Sequence, residues 1–171
     1  MNQVMETLLT RRSIRAFEKK PIPREVLEQI VEAARYAPSG MGLQTWKFTI
    51  ICNREKIQKF AAAIAEVLGR ENYTMYEPEV LIIPSNEKSS KFGKEDNACA
   101  LENIFLAAHS FGIGSVWINQ LQGICDDPKI RVILDEFAIP ADHIVYGMAA
   151  LGYSAAEPKQ PNKIGKVYFV E

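Results

Sequence analysis

The chain has 171 residues, 20 of them basic and 21 acidic, for a formal net charge of −1 with 47% hydrophobic content. This near-neutral balance gives no global attraction to nucleic acid or anionic lipid, so any anion site has to be local. The size suits one domain over 1–171, and two histidines with three scattered cysteines argue against a structural zinc site.

The N-terminal segment lacks the apolar run of a signal peptide, and no stretch approaches the length of a membrane span. A soluble cytoplasmic protein is expected, with no nucleic-acid or membrane partner. Residues 8–23, LLTRRSIRAFEKKPIP, then place Arg11, Arg12, Arg15, Lys19 and Lys20 close together. Guanidinium forks match phosphate oxygens and Ser13 adds a hydroxyl, although the same cations also suit the C-terminal end of a first helix.

Pro23 opens an amphipathic helix whose Val26, Leu27, Ile30, Val31 and Ala34 form one stripe. Pro38 ends it, and APSGMGLQTWKF follows, where Ser39, Gly40 and Gly42 permit close approach and Gln44 can both donate and accept. That loop suits a flat heterocycle or a plain connection into a strand at 46–52. Asn53 caps the next helix and Gly69 stops it. A buried strand is expected at 79–84, then a central helix in EDNACALENIFLAAHSFG, apolar around most of its circumference and ended by Gly112.

GSVWIN is the next strand, entered from a helix, which is the wrong order for a dinucleotide-binding glycine motif. Asp127 and Pro128 start a helix through Phe137. One strand is expected in HIVYGMAALGY and a last one in KVYFV. Serine and histidine positions support no hydrolytic triad. The pattern is α+β.

In combination, RRSIRAF, APSGMGLQTW, ENY, DNACALENIFLAAHSFGIGSVWIN and IVYGMAALGY resemble the nitroreductase family over nearly the whole chain. The resemblance implies a nitroreductase-like fold, a mixed β-sheet flanked by helices, in an interlocked homodimer with FMN at the interface. Arg11, Arg12, Ser13 and Arg15 stand where the family grips the cofactor, and Pro38, Ser39 and Gly40 where the partner subunit contributes, with Gln44 on the same loop a further cofactor-binding candidate. Asn72 matches a residue directed at the flavin ring. Trp117, Ile118, Asn119 and Gln120 match the strand end beside its reactive nitrogen.

Three departures stand out. Gly42 replaces the usual Asn and Thr45 the usual Pro, Pro78-Glu79 stands where Ala-Pro is common, and Asn162 replaces a phosphate-binding Arg, leaving Lys159 or Lys163 to supply that charge. The implied activity is a ping-pong reduction of nitroaromatics, quinones or activated alkenes, with NADH or NADPH as reductant and no essential acid–base side chain. A flavin storage or sensor module is the alternative, and dehalogenation or flavin fragmentation a variant within the enzyme class.

Overall fold

The structure, a computed structural model, describes residues 2–158 and 161–171. Its helices are α1 (Gln3–Thr10), α2 (Arg24–Arg35), α3 (Arg54–Leu68), α4 (Gly93–Ser110) and α5 (Pro128–Glu136). The strands are β1 (Trp46–Ile51), β2 (Val80–Glu87), β3 (Gly114–Ile118), β4 (His143–Ile144) and β5 (Met148–Gly152). The sheet runs β1-β2-β5-β3, with β4 pairing the far end of β2. These ladders are antiparallel, and the parallel component comes from the bridge Ser13–Ser115.

Alternation along β2 explains the layering, because successive side chains leave a strand on opposite faces. Leu81 and Ile83 join α3 and α5 in one core, where Phe60 meets Phe137 edge to face at 5.4 Å. Val80 and Ile82 join α2 and α4 in the other. Both faces of the sheet are therefore covered by helices.

Local chemistry sets the helix ends. The Asn53 side chain accepts from the Lys56 N–H, and Gly69 closes α3 in the left-handed region at φ 61°. Asp127 accepts from the Lys129 N–H, and Pro128 occupies the first turn of α5.

Several expectations change. Strand β2 continues to Glu87 through Pro84, which lies where one edge of β2 passes from β5 (opposite Val80–Ile82) to β4 (opposite Asn86–Glu87). A residue lacking an N–H fits a point at which that edge has no partner. The single strand expected over HIVYGMAALGY is two, β4 and β5, separated at Val145–Gly147. Gly147 there faces the Trp117 indole so closely that a Cβ would lie 2.5 Å from its nitrogen. The expected strand KVYFV does not form: residues 161–171 carry no helix or strand, with Val167, Tyr168, Phe169 and Val170 at least three-quarters exposed. Their pattern suits a strand, but they pair with no strand of their own chain.

Candidate functional site

The cationic stretch leaves α1 and runs beside β3. Ser13 and Ser115 form a parallel bridge, and the Ile14 N–H donates to the Ser115 carbonyl at 2.9 Å. Gly114 makes this approach possible, since a Cβ there would press on Ile14 at 2.8 Å. The Arg11–Arg15 segment is thereby carried to the strand that ends in Trp117–Gln120.

The arginines have different surroundings. Arg11 is half-buried and lies 3.9 Å from Glu102 on α4. Arg12 donates to the carbonyls of Leu9 and Arg11, both at 2.7 Å, which serves the end of α1 as the helix-end reading expects. Ser13 and Arg15 are exposed. A neighbouring base reports the local field. His109, whose Nε2 is 2.8 Å from Thr10 Oγ1, is held below its ordinary pKa by burial and then by Arg11 and Arg12.

At the end of β3, Ile118 is buried and Asn119 exposed. The Gln120 side-chain oxygen Oε1 accepts from the Tyr73 hydroxyl at 2.9 Å and from the Asn119 N–H at 3.1 Å. Trp117 donates to Asn119 Oδ1 at 3.3 Å. Tyr73 brings its neighbour Asn72, a left-handed residue at φ 54°, to the same end of the sheet. Burial raises the Tyr73 pKa, so the phenol is a stable hydrogen-bond donor.

The loop Pro38–Gln44 lies elsewhere. It is fastened to the first turn of α4, where Asp96 accepts from Ser39 Oγ and from the Gly40 N–H, both at 2.8 Å. Gly40 touches the Phe92 ring so closely that a Cβ would sit 2.2 Å from it. Thr10 and Arg11 meet α4 nearer its other end, at His109 and Glu102. At about 1.5 Å rise per residue, Asp96 and His109 are about 20 Å apart along the axis. Glu102, which Arg11 approaches, is about 9 Å from Asp96 on the same scale, so within one chain the loop holds the first turn of α4 and the cationic segment meets its middle and its last turn.

Lys163 lies in the exposed tail, and Lys159 falls outside the described residues. Sequence reasoning missed Asp96, Glu102 and Tyr73. Asp96 was findable: it continues the buried stripe Ala100, Ile104, Ala108 one turn back, so an acid stands where an apolar residue belongs. Glu102 and Tyr73 act through contacts between distant segments, and no spacing announces them.

The donor set suits a phosphorylated flavin: guanidinium groups and a hydroxyl beside β3, and a polar strand end at Asn119 and Gln120. Among the described residues, no helix is long and apolar enough to cross a membrane, and no group of three metal-ligating side chains is assembled.

Comparison with known proteins identifies the fold and the family. A nitroreductase from Bacteroides fragilis, solved with bound FMN, is 42% identical, covers 100% of both chains and superposes with a TM-score of 0.90. A Methanothermobacter thermautotrophicus protein, provisionally described as an NADH dehydrogenase/NAD(P)H nitroreductase, is 34% identical over 91% of this chain and 79% of its own. The FMN reductase [NAD(P)H] of Bacillus subtilis is 27% identical over 95% of this chain and 72% of its own. Residues 8–153 match the family described as Nitroreductase family. With its cations led along β3 and its helices on both faces of the sheet, this chain belongs to the nitroreductase family.

Proposed function

We propose that this chain is an FMN-dependent NAD(P)H oxidoreductase that works as an interlocked homodimer in the cytoplasm, reducing electron-poor acceptors such as nitroaromatics, quinones or activated alkenes. The observation that carries the reading is the full-length match to the FMN-bound Bacteroides fragilis nitroreductase. Bound FMN supplies the hydride and electron transfer itself. Arg11 and Arg15, with Ser13, hold the phosphate end. Asn72, Asn119 and Gln120 orient the ring, and the reductant and the acceptor take turns in the space over it.

Two observations support a dimer. The Ser39 loop is tied to the first turn of α4, whereas the arginine segment meets that helix at its middle through Glu102 and at its last turn through Thr10 and His109, so a second copy is the natural source of the loop for each flavin. Strand β1 is an end strand of the sheet, and beside it runs a groove of about 770 Å³ whose apolar lining includes Ile22, Leu27, Val31 and Ile50. The exposed tail of a second copy has the chemistry to fill that groove and extend the sheet. The three free cysteines fit a reducing compartment.

The purified protein should be yellow, release FMN on denaturation and oxidise NADH or NADPH when a quinone is supplied. A colourless protein that stays flavin-free after incubation with excess FMN would overturn the proposal. Bound flavin inert to both nicotinamides would instead favour a storage or sensor module.

A further inference from the structure

A glycine-containing loop is commonly read as an anion cradle, because its free N–H groups can converge on a phosphate. In Gly40–Gln44 four of the five donors, all but that of Met41, are already committed. The Gly40 N–H goes to Asp96 Oδ1 at 2.8 Å, and the Gly42 N–H to the Ser39 carbonyl at 2.9 Å. The Leu43 N–H goes to the Gly40 carbonyl at 3.3 Å, and the Gln44 N–H to Ser39 Oγ at 3.0 Å.

Asp96 is 3% exposed, and a carboxylate so deeply buried has to be hydrogen-bonded to be tolerated. A carboxylate accepts only, so the 2.8 Å contact from Ser39 Oγ to Asp96 Oδ2 fixes the direction of the serine proton. A hydroxyl has one proton and two lone pairs. The proton points at Asp96, one lone pair receives the Gln44 N–H, and the other can only accept.

We infer that Asp96 is a positioning residue that turns the Ser39 hydroxyl into an acceptor, which recognises a ligand's O–H or N–H donor and does not hold its phosphate. Resting on the proposed flavin function, this divides the labour: the arginines beside β3 take the anionic end, and the loop takes a ribityl hydroxyl or the imide N–H of the ring.

The test is a titration of flavin-stripped protein, followed by flavin fluorescence, with FMN, with riboflavin, which lacks the phosphate, and with lumiflavin, which also lacks the polyol chain. Ser39→Ala and Asp96→Asn are each expected to weaken FMN and riboflavin by the same factor, about 3- to 10-fold, the size of one hydrogen bond. The double variant should be no weaker than the worse single one, because both remove one interaction. Ser39→Thr, which keeps the hydroxyl, should bind like the parent, and this separates lost recognition from a loosened loop. An equal loss with lumiflavin assigns the donor to the ring, and unchanged lumiflavin binding assigns it to the polyol.

A loss confined to FMN would mean that the loop holds phosphate and would overturn the inference, as would parental binding of all three flavins by Ser39→Ala. Failure of the unsubstituted protein to bind any flavin would instead sink the functional reading beneath it.

Discussion

Helices α4 and α1 meet at one seam yet end in opposite conditions. Helix α4 buries eight residues, among them Leu101, Ile104 and Phe105, between the sheet and α2. Helix α1 buries none and leaves Val4, Met5, Leu8 and Leu9 at 43–67% exposure. The C-terminal tail is like α1, with Phe169 88% exposed. An apolar surface satisfied within the chain stabilises the fold, whereas one left in water that is contiguous and patterned marks a place for a partner. The two kinds of surface make different predictions.

The largest effect belongs to the satisfied surface. Phe60 is fully buried against Phe137, so Phe60→Ala should destabilise the protein by about 3–5 kcal/mol through lost transfer energy and a residual cavity, as read by denaturant unfolding. Removing residues 161–171 should do the reverse. The secondary structure seen by circular dichroism should persist, while the dimer dissociation constant rises by at least about 100-fold, about 3 kcal/mol, in sedimentation or light scattering. A truncated chain that stays dimeric and retains its flavin would remove the tail from the interface.

Gly147→Ala tests the border between the two regions. The new Cβ would press on the Trp117 indole, which sits 39% exposed beside Asn119, so either the ring or the backbone between β4 and β5 has to move. Overpacking of this kind costs about 1–3 kcal/mol. A shift in the near-ultraviolet tryptophan signal should accompany the lower midpoint. An unchanged midpoint would mean that Trp117 is free to swing away.

The same division explains what the sequence could disclose. Caps and stops such as Asn53, Gly69 and Asp127 act within a few residues, and they stand where local chemistry puts them. The extension of β2 past Pro84 depends on which strands lie opposite, and a strand at KVYFV needs a partner edge that its own sequence does not specify. At the candidate site, the arginine run and the Ser39 loop were visible as composition. Their separation along α4 was not, because it follows from Thr10 reaching His109 and from Ser39 reaching Asp96, contacts between residues 99 and 57 positions apart. The nitroreductase resemblance named candidate site residues that spacing alone did not single out, but the direction of the Ser39 hydrogen bond required the fold.

The smallest expected effect sits at the α1–α4 seam itself. His109 is kept below its ordinary pKa by burial and by Arg11 and Arg12, while Thr10 holds the ring and Glu102 partly offsets Arg11. A histidine depressed on folding binds fewer protons in the native state than in the unfolded one. Stability should therefore fall as pH drops below the unfolded value of about 6.5, and level off once the native ring is protonated too. His109→Gln should flatten that portion of the stability curve and leave the neutral-pH midpoint close to the parent. Because phosphate beside Arg11 and Arg12 would cancel part of the field that depresses His109, FMN-loaded protein should show a shallower acid slope than flavin-free protein. If FMN leaves the slope of the parent unchanged, its phosphate does not lie within electrostatic reach of this seam, and the arginines there serve α1 alone.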